Sequence, residues 1–143
     1  MRILISCLAL LESTSQAGQQ ARIGKQMAFD ITWRGASGNS HNFQTVPFGT
    51  NFNPVSGVYI FCRQTQPGKW QALYVGETQS FSQRLNERIN SHEGFRRAQR
   101  MGMTHIGVLV VPGQQNRLRI ETDLRHGLKP PANEQSVFGG SGQ

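Results

Sequence analysis

The stretch GVYIFCRQTQPGKWQALYVG, residues 57–76, decides the fold of this chain. Two apolar runs, rich in β-branched and aromatic residues, flank a Pro-Gly turn signal at 67–68, which is typical of a β-hairpin. The tripeptide GVY at 57–59 opens the stretch, and YVG at 74–76 closes it almost as a mirror image. A stable hairpin does not need a glycine and a tyrosine at each end, so this pattern indicates a function as well as a fold.

Tyr59 and Tyr74 are predicted to project from one face of this hairpin. Gly57 and Tyr59 lie on one side of the first strand because alternate residues of a strand share a face. For the same reason, Tyr74 and Gly76 share one side of the second strand. A register with Tyr59 opposite Tyr74 also places the two glycines opposite each other. Strand tyrosines often only pack the sheet, but strand glycines mark the close approach of a ligand or another backbone, which favours a functional interpretation.

Downstream of the hairpin, the hydrophobic period changes from two to about 3.6. Residues 80–92 predict a helix that begins with a capping box, and residues 93–102 predict a second, basic helical segment. Residues 104–112 predict a strand buried on both faces, and residues 115–128 predict a last helix that is stopped by prolines. The two longer helices would bury these side chains: Phe81, Leu85 and Ile89 in the first, and Leu118, Ile120, Leu124 and Leu128 in the second.

The order of these elements predicts an α/β (α+β) domain with a small, mostly antiparallel three-stranded central sheet flanked by helices. Upstream of it, residues 29–33 alternate like a strand. Residues 42–57 are aromatic and broken by Pro and Gly, so they predict an N-terminal extended arm. The predicted organisation has four parts: a disordered or misassigned segment at 1–26, the arm at 27–56, the functional domain at 57–135 and a disordered tail at 136–143.

Composition limits the kind of protein that 143 residues can form. The length allows one domain. Cys7 and Cys62 belong to no CxxC pair, which argues against a zinc site and against a disulfide framework. No apolar run is long enough to span a bilayer, and we expect a cytoplasmic protein. The net charge of +7 favours an anionic partner such as nucleic acid, although a charged solvated surface gives the same excess.

Residues 1–12, MRILISCLALLE, allow three interpretations. The short apolar run after a single arginine resembles a signal peptide, but no clear cleavage site precedes the polar residues that follow. The letters LISC resemble a lipoprotein box, but they come too early for an ordinary leader. We favour a translation start at Met27, which N-terminal sequencing of the expressed protein would test.

Polar side chains at the edges of the predicted core are the candidates for chemistry. Arg84, Arg88 and His92 recur every four residues and would form a stripe beside the buried one, where an arginine fork suits a phosphate. Glu121 borders the apolar side of the last helix, where a carboxylate must be paired, hydrogen-bonded or bound to a cation. Asp123 is expected to face solvent. The next helical segment carries three further arginines, which could contact the phosphates of a nucleic-acid backbone: Arg96, Arg97 and Arg100.

Together these features resemble the GIY-YIG nucleases, a family named after two strand tripeptides that match GVY at 57–59 and YVG at 74–76. The family's conserved helix arginine matches Arg84, its metal-binding glutamate matches Glu121, and the asparagine near the end of its domain matches Asn133. Each tripeptide alone is a weak signal. The full set, in order and with helices and a strand between, is specific, and it covers a little over half of the chain.

The chain differs from the family pattern at one position. Many members carry a histidine four residues after the arginine, where this sequence has Arg88. His92 lies one helical turn further on, and a subgroup of small bacterial members resembles this chain in having a histidine at about that place. The resemblance therefore transfers the role of the histidine to His92.

The resemblance implies hydrolysis of phosphodiester bonds in DNA with one divalent ion, Mg²⁺ or Mn²⁺, held by Glu121. Arg84 would stabilise the charge that builds on the phosphate, while either Tyr59 or His92 would activate the attacking water. Tyr74 would orient water or phosphate. The remaining matched or neighbouring residues would brace the site or contact the substrate, namely Asn133, Gly76, Arg88, Arg96, Arg97 and Arg100.

Two other kinds of protein fit parts of the pattern. A catalytically weak nucleic-acid-binding module would keep the fold and the charge, and a structural domain would carry the motifs by chance. Retention of the whole set of site residues favours the nuclease. The sequence contains no helix-turn-helix, zinc finger or other appended reader, so any specificity would come from the N-terminal arm, a protein partner or a homo-oligomer.

Overall fold

The structure, a computed structural model, describes residues 28–133, so the predictions for 1–26 and 136–143 lie outside the described residues. The strands are β1 (Phe29–Arg34), β2 (Ser40–Pro47), β3 (Gly57–Gln66), β4 (Lys69–Thr78) and β5 (His105–Val110). A π-helical turn (Gln83–Glu87), a 3₁₀ turn (Ile89–Ser91) and helix α1 (Glu93–Arg100) connect β4 to β5, and helix α2 (Gln114–Leu128) follows β5. All strands pair antiparallel in one sheet with the order β1-β2-β5-β3-β4. The fold is therefore α+β.

The sheet has five strands, so the predicted three-stranded sheet is wrong. β2, which the sequence suggests to be part of an extended arm, pairs with β1 on one side and with β5 on the other. Without β2, the apolar strand β5 would be an edge with unpaired N–H and C=O groups. Phe43 and Val46 of β2 are buried in the core. Pro47 and Gly49, which suggested a broken arm, lie at the end of the strand and just beyond it.

The sheet carries an apolar core on each face. Tyr59 of β3 belongs to one core and its neighbour Ile60 to the other, as the period of two requires. We call the first face the tyrosine face. It is covered by apolar side chains from the segment of the chain that connects β4 to β5, including Phe81, Leu85, Phe95 and Ala98. The opposite face is covered by α2 with Ile120, Leu124 and Leu128.

The predicted helix over residues 80–92 forms only in part. Ser80 Oγ accepts a hydrogen bond from the backbone N–H three residues later, at 3.3 Å, as an N-terminal cap does. The chain then winds into the π-helical and 3₁₀ turns. These turns change the rotation per residue, so the predicted stripe of Arg84, Arg88 and His92 does not form. Arg88 is exposed, Arg84 is half-buried and His92 is buried.

Helix α2 ends where the prolines predict, at Lys129 in the left-handed conformation, followed by Pro130. Its buried side differs from the predicted one at Leu118, which is 43% exposed. The inner position one residue earlier is taken by Arg117, which is 4% exposed. A charged residue can take this inner position because it forms an ion pair with a half-buried carboxylate, described below.

Cys62 is buried in the core on the face opposite the tyrosine face. Burial raises the pKa of its thiol to about 12, so the thiol stays protonated and unreactive at neutral pH. In the part of the chain that the structure describes, no helix is long and apolar enough to cross a membrane.

Candidate active site

The two tyrosine rings share the tyrosine face, in a different register from the predicted one. Tyr59 pairs with Gly76 across the hairpin, so the predicted pairing of Tyr59 with Tyr74 is wrong by two residues. A shift of two residues leaves every side chain on its original face. The ring centroids of Tyr59 and Tyr74 lie 6.2 Å apart, with 31° between the ring planes. The hairpin therefore presents both rings to one side.

Glycines make room for these rings. A Cβ atom at Gly76 would lie 2.5 Å from the hydroxyl oxygen of Tyr59, and one at Gly94 would lie 2.4 Å from Cε1 of Tyr74. Gly57, the first residue of the opening tripeptide, faces the backbone instead, because a Cβ there would lie 2.1 Å from the carbonyl oxygen of Leu109. Both tripeptides thus contain glycine for steric reasons, and Gly76 allows Tyr59 to lie flat across the hairpin.

His92 forms a buried hydrogen bond with Tyr59. The distance from His92 Nε2 to Tyr59 Oη is 2.7 Å, and His92 Nδ1 accepts a hydrogen bond from the backbone N–H of Phe95 at 3.2 Å. A neutral imidazole has one donor and one acceptor nitrogen, so Nε2 carries the proton and donates to the tyrosine oxygen. Burial, followed by the charges of Arg84 and Arg97, lowers the pKa of His92 to about 4. The ring is therefore neutral at pH 7.

The neutral state of His92 predicts a loss of stability in weak acid. Between the ordinary pKa of 6.5 and about 4, the unfolded chain binds a proton at this position and the folded chain does not. The free energy of unfolding should therefore fall as the pH falls, by up to about 1.4 kcal/mol per pH unit. Urea denaturation at several pH values between 7.5 and 4 would measure the slope.

The matched control for this prediction is His92→Asn, which keeps a side-chain acceptor for the start of α1 but does not titrate. Glu121 acts in the opposite sense because its pKa is raised, so the informative quantity is the difference between the two slopes. Equal slopes for the variant and the unmodified protein would show that His92 binds a proton as readily in the folded state as in the unfolded chain.

Tyr59 lies in an environment with opposing effects on its ionisation. Burial raises the pKa of its hydroxyl well above the ordinary value, and the neighbouring Tyr74 raises it further. A hydrogen bond from Arg84 and the charge of its guanidinium lower this pKa. The donated N–H of His92 also favours the charged form. The Tyr59 oxygen thus has a hydrogen-bond donor in His92 and lies in the field of the Arg84 charge, although the ring is almost fully buried.

Glu121 lies on α2 close enough to act on both tyrosines. Its side chain is half-buried, and burial raises its pKa, an effect that Arg125 opposes and Glu77 adds to. The charge of Glu121 in turn raises the pKa of Tyr59 and of Tyr74. A carboxylate that is disfavoured in its charged form and whose charge reaches both tyrosines is suited to a cation.

Glu77 and Arg117 are site residues that the sequence alone does not reveal. Arg117 Nε donates to Glu77 Oε1 at 2.8 Å, and the arginine side chain is 5% exposed. Glu77 directly follows the second tripeptide, and its charge reaches Glu121. One signal was present in the sequence, since Arg117 precedes Glu121 by four residues and so lies on the same side of α2. Its partner is 40 residues away and cannot be found from local spacing.

Loss of this pair should strongly destabilise the protein. In Arg117→Met, the carboxylate of Glu77 loses its partner in a site that is only 21% exposed, and we expect a fall of about 3 kcal/mol in the free energy of unfolding. The double variant Arg117→Met/Glu77→Gln, which removes both charges, should recover much of this loss. Urea denaturation measures both. A loss in Arg117→Met below about 1 kcal/mol would mean that the pair behaves as an exposed one.

Asn133 is placed on the backbone of the second tripeptide rather than beside the tyrosine hydroxyls. Its Oδ1 accepts from the N–H of Val75 at 2.8 Å, and its Nδ2 donates to the carbonyl of Val75 at 3.1 Å. The backbone N–H of Ala132 donates to the carbonyl of Leu73 at 2.8 Å. The side chain of Asn133 therefore holds β4 in place, which is consistent with the bracing role that was expected of it.

The arginines of α1 are partly committed to contacts within the protein. Arg96 bonds Glu93 at 3.2 Å and the carbonyl of Asn90 at 2.8 Å. Arg97 bonds the carbonyl of Ala132 at 2.8 Å and lies 3.6 Å from Glu93. The other two arginines predicted to contact the substrate, Arg88 and Arg100, are exposed.

The residues predicted for the site thus fall into two sets. Tyr59, Tyr74 and His92 contact one another at the tyrosine face, and the charge of Arg84 acts on all three. Glu121, on α2, acts on the two tyrosines through its charge, while Asn133 acts through the backbone of β4. Among residues 28–133, no three histidine, cysteine, aspartate or glutamate side chains form a metal-binding cluster. Comparison of the chain with protein-family models, with characterised proteins and with solved structures finds no match.

Proposed function

We propose that this protein is a DNA endonuclease of the GIY-YIG kind, which hydrolyses phosphodiester bonds with Mg²⁺ or Mn²⁺. The observation that carries the proposal is the grouping at the tyrosine face. Two tyrosine rings lie 6.2 Å apart on one side of the hairpin, and a guanidinium and a carboxylate act on both of them. Phosphodiester hydrolysis needs a proton acceptor, a cationic group for the phosphate and a ligand for a divalent ion.

Glu121 is the residue that would hold the ion. Mg²⁺ prefers oxygen ligands and often uses only one or two protein carboxylates, which this donor set can supply. Once bound, the ion would polarise the phosphate and stabilise the leaving 3′ oxygen. Glu77 lies near enough to influence Glu121, but its charge is compensated by Arg117. Glu121 forms no ion pair within 4.0 Å among residues 28–133, although the charge of Arg125 acts on it, so its carboxylate remains for the cation.

Tyr59 is the better candidate for the proton acceptor. Both ring nitrogens of His92 are in use, since Nδ1 accepts from Phe95 and Nε2 carries the proton that is donated to Tyr59. Tyr59 would first lose its own proton to solvent, and the resulting phenolate would then take the proton of the attacking water. The N–H of His92 and the guanidinium of Arg84 would stabilise that phenolate against the effect of burial. In this mechanism His92 positions Tyr59 and stabilises its phenolate form, and it does not act as the base.

A nucleic-acid-binding module without cleavage is the second candidate. The observation that favours it is the strong burial of Tyr59, which raises the pKa of the hydroxyl and so opposes formation of the phenolate. Such a module would keep the basic surface, with its net charge of +7, and would bind DNA with a strong dependence on salt.

Incubation of supercoiled plasmid with the purified protein separates the two candidates. The endonuclease should convert the plasmid to the nicked form with Mg²⁺ or Mn²⁺ and leave it intact with EDTA. Binding of the plasmid without nicking in either metal would support the binding module. If the protein neither nicks nor binds DNA, both candidates are wrong.

A further inference from the structure

A cavity lies between α2 and the loop that joins β1 to β2, and Glu121 is not among the residues that line it. Its volume is about 860 Å³. Its walls carry mainly hydrogen-bonding side chains, including Ser37, Asn39, His41, Arg119, Asp123 and His126. None of these residues belongs to the predicted site.

Asp123 fixes the loop wall of this cavity. Its carboxylate accepts from the backbone N–H of Ser37 at 2.8 Å, from the hydroxyl of Ser37 at 2.9 Å and from His41 Nε2 at 3.3 Å. Asp123 was expected to face solvent, but its side chain is only 15% exposed and bonds the loop. The backbone hydrogen bond from Ser37 is the main cause of its lowered pKa. The negative charge in the cavity is thus already matched by donors from the loop.

The exposed side of α2 connects the cavity to Glu121. At about 100° per residue, Arg125 lies only about 40° around the helix from Glu121. Continuing in the same direction, the exposed residues are Thr122, His126 and Arg119, at about 100° to 160°. We call Arg119, Thr122, Arg125 and His126 the outer strip. It runs from the candidate metal ligand to the cavity and contains two arginines and no carboxylate.

We propose that the outer strip and the cavity are a second DNA contact, which binds backbone phosphates flanking the cleaved bond. The proposal rests on the function proposed above. An arginine fork suits a phosphate, and uncharged hydroxyl and amide groups add further bonds to it. Leu118, which is 43% exposed at the cavity, offers apolar surface to a deoxyribose. The contact would fix the position of DNA on the protein without reading its sequence.

Charge reversal at Arg119 tests this contact. Arg119 is exposed, and within residues 28–133 its side chain hydrogen-bonds Asn116 of the same helix and no other residue. Arg119→Glu should therefore fold normally, which thermal denaturation would check. Lys69→Glu is the matched control, because Lys69 is exposed and lies at the end of β4 away from Glu77. Both make the same change in net charge.

The measurement is the dissociation constant of a labelled DNA duplex at several salt concentrations, in EDTA to prevent cleavage. We expect Arg119→Glu to weaken binding several-fold more than Lys69→Glu. The slope of log K against log salt should fall by about 1 for the lost phosphate contact. Equal dissociation constants and slopes for the two variants would overturn the second contact. Failure of the unmodified protein to nick plasmid would overturn the endonuclease alone, because this comparison needs only binding, and absence of any DNA binding would overturn both.

Discussion

Replacement of Glu121 by alanine is expected to lower Mg²⁺-dependent nicking by on the order of a thousandfold, while DNA binding persists. In the proposed function the Glu121 carboxylate holds the ion, so the variant would lack that ligand. Binding depends on the basic surface and should keep its dependence on salt. Plasmid nicking and duplex binding, measured on the same preparation, would give both quantities.

Two further variants make this result specific. Glu121→Gln keeps the shape of the side chain and removes its charge, so it should be as inactive as the alanine variant. Glu87→Ala removes an exposed carboxylate from the π-helical turn and should nick plasmid normally. Parallel loss of nicking, binding and thermal stability in Glu121→Ala would instead assign Glu121 a structural role.

Replacement of Tyr59 by phenylalanine is expected to lower the nicking rate by roughly 10²–10⁴-fold. Phenylalanine keeps the ring that packs against Gly76 and Tyr74, and it removes only the oxygen that would accept the proton. The change also leaves the N–H of His92 without its buried partner, which should cost about 1–3 kcal/mol of stability. Rates should therefore be measured at a temperature where urea denaturation shows the variant to be folded.

His92→Asn distinguishes the two possible bases. If Tyr59 accepts the proton, His92→Asn loses one of the two donors to the phenolate and should retain more activity than Tyr59→Phe. The pH profile should then shift to higher pH in this variant, because a weaker donor set raises the pKa of Tyr59. An inactive His92→Asn beside a nearly normal Tyr59→Phe would make His92 the base.

The sequence predicted the features that depend only on neighbouring residues, such as the face of a strand on which a side chain lies. Alternation in the hairpin placed Tyr59 and Tyr74 on one face because the period of a strand is two, whatever its register. The register follows from the two-residue turn at 67–68, which pairs Gln66 with Lys69, since the two register shifts farther along the hairpin cancel and leave Tyr59 opposite Gly76. The strand β2 was missed because it is stabilised by β1 and β5, which lie on either side of it in the sheet, while its own sequence ends in proline and glycine.

The interactions that organise the candidate site join residues that are far apart in sequence. Tyr59 and His92 are 33 residues apart, and Glu77 and Arg117 are 40 apart. The burial of His92 also follows from the π-helical turn, which the regular spacing of Phe81, Leu85 and Ile89 did not predict. The candidate site residues could therefore be identified from the sequence. The tautomer of His92 and the ion pair of Glu77 with Arg117 could not.

The two hydrogen bonds between Asn133 and Val75 also affect how copies of the protein behave toward one another. β4 is an outer strand of the sheet, and its free edge would otherwise offer N–H and C=O groups to another chain. At that edge, Ala132 hydrogen-bonds the backbone carbonyl of Leu73, and the side chain of Asn133 hydrogen-bonds the backbone N–H and C=O of Val75. The same residue that braces the second tripeptide thus protects the protein from edge-to-edge aggregation, and a chain shortened before Ala132 should self-associate and precipitate.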